Sequence, residues 1–293
     1  MRQVPSLAVM KRTTTIAETW ALLDAARAQG KTVGMVPTMG FLHAGHASLI
    51  RASAADNDVT LTTIFVNPLQ FAADEDLSDY PRDIDNDLAL CEEAGATIVL
   101  TPSVEEMYPL PIVTTVSVAE LSEAMEGAER PTHFAGVATV VSKLFNIGGR
   151  CRAYFGEKDY QQLALVRRMA LDLSFPVEIV GCPIVREANG LAMSSRNTYL
   201  SAEQFEAAGV LQRSLQSAVE LAKNGERNAD AIRAHIVDMI ATEPLVDAPD
   251  YVAIVDAASL APLDTLAGEV RIILAAQVGR PRLLDNIGVS LPV

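Results

Sequence analysis

Two histidines, His43 and His46, follow a glycine at position 40 and stand three residues apart in the run VPTMGFLHAGHASLI. The run reads as a strand ending at Pro37, a turn at Gly40 and a helix beginning near Ala47. A helix N-terminus offers free N–H groups and the positive end of its dipole, so imidazoles placed there suit the oxygens of a triphosphate. Gly40 and Gly45 leave room for a ligand to lie against the backbone. Local capping or packing would also account for such histidines, and a metal site would need a third ligand that the run does not supply.

A second cluster, FGEKDYQQL at 155–163, repeats the arrangement. A strand ends, Gly156 turns, Lys158 brings a positive charge and Asp159 stands where it can cap the next helix. The amides of Gln161 and Gln162 are suited to orienting a hydroxy acid without adding charge. In a third cluster, MSSR at 193–196, two hydroxyls and a guanidinium can grip phosphate oxygens. Asn67 and Gln70 of FVNPLQF follow another strand end, where Gln70 could hydrogen-bond an acid. Taken singly, each of these residues could equally be a cap, a turn or a surface side chain.

The elements that must position these groups alternate. Short β-rich runs at 33–37, 59–66, 96–100, 151–155 and 177–180 are separated by helical stretches. Such alternation predicts a Rossmann-like doubly wound parallel sheet, the α/β class. One helix is expected over 15–29, with Ile16, Trp20, Leu22 and Leu23 near helical spacing. Another spans 159–173, with Leu163, Val166 and Leu171 facing the core. Beyond about residue 185 the pattern changes to a long helix capped by Ser201 and running to about 223, a second helix, and strands at 250–256 and 270–277. The reading is therefore 1–184 as a nucleotide- and acid-binding domain and 185–293 as a smaller α+β domain closing over the site, joined through the Asn189-Gly190 turn.

Composition narrows the function classes. Hydrophobic residues make up 49% of the 293 and charged residues 20%, a balance that packs into a globule. The net charge of −14, from 37 acidic and 23 basic side chains, repels nucleic-acid backbones and anionic membranes, but a few aimed cations can still hold one nucleotide. Cys91, Cys151 and Cys182 are widely spaced and read as buried thiols in a reducing compartment. The N-terminal run MRQVPSLAVMKR holds too short an apolar core for a signal peptide, and no apolar stretch approaches the roughly 18 residues of a membrane span. The expected location is the cytoplasm.

The spacing HAGH at 43–46 resembles the HxGH signature of the nucleotidyltransferase superfamily, and MSSR resembles its second, KMSKS-type signature, with Ala192 at the lysine position. With PTMGFLHAGH, FVNPLQF, YPR, RPTHFAGV, FGEKDYQQL, REANGLAMSSRN and RLLDNI in order, residues 31 to 288 resemble the pantoate–β-alanine ligase (pantothenate synthetase) family. The resemblance implies that ATP and Mg²⁺ serve to condense pantoate with β-alanine through a pantoyl-adenylate, and that the enzyme is a homodimer. Carried over by position, it implies ATP binding by Met39, Gly40, Phe41, Leu42, His43, Ala44, Gly45 and His46, by Gly156, Glu157, Lys158 and Asp159, by Val185, and by Met193, Ser194, Ser195 and Arg196. It implies that Gln70 and Gln162 hold the organic substrates, and that His43, His46, Lys158 and Arg196 are catalytic.

An adenylate hydrolyses if water reaches it, so a closing loop is expected, with 125–131 (MEGAERP) as candidate. Two rival readings remain at this point. One is an adenylyltransferase that keeps AMP on its product. The other is a non-catalytic nucleotide sensor, against which the number of phosphate-directed groups argues. His133 and His235 have no assigned role.

Overall fold

The computed structural model describes residues 10–71, 77 and 80–292. The reading of the first nine residues lies outside them. The chain groups into two compact units: residues up to Gly156 with Leu165–Cys182, and Glu157–Ala164 with the residues from Pro183 onward.

The first unit runs β1 (Lys11–Thr13), α1 (Ile16–Ala28), β2 (Val33–Thr38), α2 (Ala44–Asp56), β3 (Val59–Ile64), α3 (Ile84–Ala94), β4 (Ile98–Leu100), α4 (Val104–Met107), α5 (Glu126–Glu129), α6 (His133–Gly148), β5 (Cys151–Gly156), the later part of α7 (Tyr160–Asp172) and β6 (Val177–Cys182). Its six strands form one sheet in the order β1-β4-β3-β2-β5-β6 with every pairing parallel, the doubly wound α/β class expected. Strands β2 (VGMVPT) and β3 (VTLTTI) are apolar or β-branched and buried almost throughout, as strands covered on both faces must be. Strand β1 was not anticipated, because its residues KRT carry no apolar signal and pair only with β4 at the sheet edge.

Helix α1 begins with a capping box in which the Thr15 hydroxyl accepts from the Glu18 N–H and the Glu18 carboxylate accepts from the Thr15 N–H. Its buried residues are Thr19, Leu23 and Ala26, so the core stripe runs one position away from Trp20, which is exposed. In α7, Leu163 and Val166 are buried as expected but Leu171 is 75% exposed. Five residues beyond Val166 is roughly 140° around a helix, whereas the buried Met169 and Ala170 keep the i+3 and i+4 spacing.

The second unit contains α8 (Ala202–Ala208), α9 (Val210–Lys223), α10 (Ala229–Ile240) and an antiparallel sheet of β7 (Tyr251–Asp256), β8 (Gly268–Gln277) and β9 (Arg282–Leu291) in sequential order. Leu211, Leu215, Ala218 and Ala222 of α9 and Ile232, Ile236 and Ile240 of α10 share a core with Ile254, Ile272 and Leu274. The single helix expected from Ser201 to 223 is two. The Asn189 Nδ2 donates to the Phe205 carbonyl at 2.6 Å, and the helix is interrupted at Gly209. Strand β9 was missed because its buried Asp285 and Asn286 break the apolar pattern. Among the described residues no helix is long and apolar enough to cross a membrane. Cys91, Cys151 and Cys182 are buried, and burial pushes the Cys91 and Cys151 thiols up to about 12.

Candidate active site

From β2 the sheet grows to one side through β3 and β4 and to the other through β5 and β6, so its order reverses between β2 and β5. Ligands of open parallel sheets bind outside the carboxyl ends of the strands at such a reversal. Strand β2 leads directly into Met39–His46, and β5 ends at Gly156.

The turn after β2 is tight. Gly40 has φ +86° and a side chain there would come within 2.9 Å of Asp87 Oδ2. Phe41 follows at φ +51°, a region disfavoured for bulky residues. Two hydrogen bonds hold it there, from the Phe41 N–H to Asp87 Oδ2 (2.9 Å) and from the Leu42 N–H to Asp87 Oδ1 (2.6 Å). Asp87 lies on α3 and is buried. Burial pushes its carboxyl above the usual carboxylate range, against the downward pull of the two N–H groups.

Helix α2 starts at Ala44, three residues earlier than expected, because the histidines themselves cap it. The Gly45 N–H donates to His43 Nδ1 (3.1 Å) and the His43 N–H to His46 Nδ1 (3.3 Å), a capping box built of two imidazoles with ring centroids 4.1 Å apart. Because a backbone N–H only donates, each Nδ1 is an acceptor and each neutral ring carries its proton on Nε2. Capping and phosphate binding are thus compatible: the cap occupies one nitrogen and fixes the other as the donor. Ala44 and Gly45 form the first turn of α2.

Gln70 is buried at the end of a 3₁₀ turn, Pro68–Gln70. Its Nε2 donates to Met39 Sδ at 2.9 Å and its Oε1 accepts from Asn67 Nδ2 at 3.2 Å, which ties it to the loop after β2. Asn67 also donates to the Gly136 carbonyl (3.1 Å) and accepts from the Tyr108 hydroxyl (2.8 Å). A side chain at Gly136 would lie 2.2 Å from the Leu69 carbonyl oxygen, so only glycine lets α6 approach this turn. Arg130 Nη2 donates to the Gln70 carbonyl at 3.3 Å, and His133 Nδ1 lies 3.0 Å from the same oxygen. The stretch 125–131, expected to be a closing loop, contains α5, with Glu126 and Gly127 buried.

In the second unit Glu157, Lys158 and Asp159 form one 3₁₀ turn, with Lys158 Nζ 3.5 Å from Asp159 Oδ1. Gln162 stands partly buried on the first turn of α7. The Val185 carbonyl accepts from the Met193 N–H (2.9 Å), and Ser194 caps the turn Ser195–Tyr199 by accepting from the Arg196 N–H (3.2 Å). Arg196 is exposed.

Sequence reasoning missed Asp87, Arg130 and His133 as supports of the site. Their types carry no signal, because each acts through a backbone group far along the chain. His235 bonds Ser217 Oγ through Nε2 at 2.8 Å, a link between α9 and α10. Among the described residues no group of three His, Cys, Asp or Glu side chains could hold a metal ion.

A sequence model of the family described as pantoate-beta-alanine ligase matches residues 11–288. The chain is 49% identical over 264 residues to the pantothenate synthetase of Rhizobium etli, covering 90% of this chain and 89% of that protein. It superposes on the pantothenate synthetase of Thermus thermophilus with a TM-score of 0.89 at 46% identity, covering 95% and 99% of the two chains. The pantoate-beta-alanine ligase of Francisella tularensis, complexed with beta-gamma ATP and beta-alanine, superposes with a TM-score of 0.76 at 30% identity, covering 95% and 97%.

Proposed function

The chain belongs to the pantoate–β-alanine ligase family and is an enzyme that condenses pantoate with β-alanine at the expense of ATP; from that premise we propose how its own residues carry the reaction. The pantoate carboxylate attacks the α-phosphorus of ATP in line, and the bond to pyrophosphate breaks. The β-alanine amine then attacks the acyl carbon of the pantoyl-adenylate, and AMP leaves with the amide formed. There is little covalent work for the protein in the first step, so alignment and charge stabilisation dominate.

His43 and His46 donate hydrogen bonds from their Nε2–H groups toward phosphate oxygens, His46 stabilising the departing pyrophosphate in this way without giving up its proton. Lys158 and Arg196 offset the charge that grows on the phosphates. Met39 to His46, Gly156 to Asp159, Val185 and Met193 to Arg196 bind ATP, while Gln70 and Gln162 hold pantoate. The observation that carries this assignment is the double cap at the start of α2, which leaves the protonated nitrogen of both rings as the donor. The ligands in the Francisella tularensis structure support ATP and β-alanine as substrates of this chain.

Mg²⁺ would supply charge neutralisation on the triphosphate. The reading takes the enzyme to be a cytoplasmic homodimer. Its three buried, widely spaced cysteines support a reducing compartment, and the dimer rests on the family resemblance alone.

The test is AMP release by the purified protein with MgATP, pantoate and β-alanine, each omitted in turn. AMP formed in equal amount to pantothenate, and only with both organic substrates, is the expected result. ATP binding without AMP release would overturn the reading in favour of a sensor. AMP retained on the product would make the chain an adenylyltransferase.

A further inference from the structure

The RLLDNI run in β9 has no part in the chemistry above, yet its two buried polar residues reach both ATP-directed segments of the second unit. Asp285 is fully buried opposite Leu274 of β8, on the sheet face that packs against α9 and α10. Its carboxylate takes a bidentate pair from Arg186, with Nη1 to Oδ2 at 2.7 Å and Nη2 to Oδ1 at 3.0 Å. Arg186 Nη1 also donates to the Gly190 carbonyl at 3.0 Å and so closes the turn that ends where Met193 bonds Val185. Asn197 Nδ2 ties the MSSR stretch to the same turn through the Ala192 carbonyl, at 3.1 Å.

Asn286, the next residue, points to the opposite face of the strand and is 1% exposed. Its Nδ2 donates to the carbonyls of both Glu157 (3.0 Å) and Lys158 (2.7 Å). Its Oδ1 accepts from Arg271 Nε at 2.7 Å, and Arg271 Nη2 in turn reaches Glu157 Oε2 at 3.1 Å. The Arg271 guanidinium lies 3.9 Å from the centre of the Tyr160 ring, which adds a stacking contact to the same turn. Both donors of the Asn286 amide hold the Glu157–Asp159 turn, and its oxygen orients the arginine that does so too.

We propose that Asp285 and Asn286 are positioning residues that set the Lys158 turn and the Ser194–Arg196 turn from one rigid strand, Asn286 acting through Lys158 and Asp285 through Arg186. The proposal rests on the assignment of Lys158 and Arg196 to ATP. A strand that holds both turns makes their mutual placement independent of loop flexibility, and misplacement by about 1 Å costs on the order of 10²-fold in rate.

The experiment compares Asn286→Ala, Lys158→Ala and the double variant by kcat/KM for ATP in AMP release, with KM for pantoate and melting temperature as accompanying readouts. Asn286→Ala is expected to lower kcat/KM for ATP about 10²-fold with KM for pantoate within twofold. The double variant should be no slower than Lys158→Ala alone, because a lysine that is absent cannot be misplaced. Asn286→Asp keeps the volume and the acceptor for Arg271 while removing both donors, and it carries the same test if the alanine variant fails to fold. Ser290→Ala on the same strand should leave activity unchanged. Multiplying losses in the double variant, or a rise in KM for pantoate as large as the rise in KM for ATP, would overturn the positioning role. Normal AMP formation by Lys158→Ala would instead overturn the site assignment on which the proposal stands.

Discussion

The loop Met39–His46 and the turns at Glu157–Asp159 and Ser194–Arg196 are proposed to serve the same chemistry but are held by different means. In the loop after β2, the histidines cap the helix on which they sit, through bonds spanning two and three residues. In the second unit the Glu157–Asp159 turn is held by Asn286, 129 positions from Glu157, and the 186–193 turn that leads into the locally capped Ser194 is held by Arg186 pairing with Asp285, 99 positions away. Local capping makes the histidine geometry a property of a short peptide segment. Long-range anchoring makes the lysine and arginine geometry a property of a folded sheet. Damage in the first region should therefore be separable into a stability part and a chemical part, whereas damage in the second should appear mainly as lost alignment.

The largest expected effect is that of Lys158→Ala. It should lower adenylation by on the order of 10²–10³ with little change in melting temperature, since the side chain makes only a marginal contact with Asp159. A large fall in melting temperature with normal turnover would refute its role. His43 sharpens the contrast further. His43→Ala should lower activity by about 10²-fold and lose about 1 kcal/mol of stability with the cap. His43→Asn should restore the stability, because asparagine is an excellent N-cap, but not the activity. Recovery of both in the asparagine variant would show that His43 does nothing beyond capping.

Gln70→Ala should raise KM for pantoate by about tenfold, the size of one hydrogen bond, and more than it raises KM for ATP. The reverse ranking would place the acid elsewhere. The smallest effect concerns Asp87, which anchors the Phe41–Leu42 turn from α3 and so gives the first region a long-range support. Its folded carboxyl lies above the ordinary 3.8, so the folded state binds more protons than the unfolded one as pH rises from that value. This group's contribution to stability is therefore fully present below pH 3.8 and is lost as pH rises through the folded value. Denaturant midpoints of wild type and Asp87→Asn against pH should differ by that downward slope. Identical profiles would show that the carboxyl does not titrate as described.

Much of this was open to the reader of the sequence. The alternation of apolar runs specified a parallel α/β unit because strands buried on both faces must be apolar on both faces. The Asn189-Gly190 turn and the Ser201 cap follow from local hydrogen bonding that those residues make wherever they stand. The placement of His43 and His46 at a helix start and of Lys158 just past a strand end was legible because these are local features. The chain could not by itself say that α2 begins at Ala44 with His43 as its cap, since imidazole is an uncommon cap, nor that the apolar Leu171 faces solvent on α7.

Tertiary structure alone decided what Asp87, Arg186, Asp285 and Asn286 do. Each is a polar residue with at least one partner 45 to 129 positions away, from the Leu42 N–H held by Asp87 to the Glu157 carbonyl held by Asn286. Before folding, nothing distinguishes such a residue from a solvated surface group. It becomes a support only when burial removes water as a competitor and leaves one set of backbone and guanidinium groups within reach.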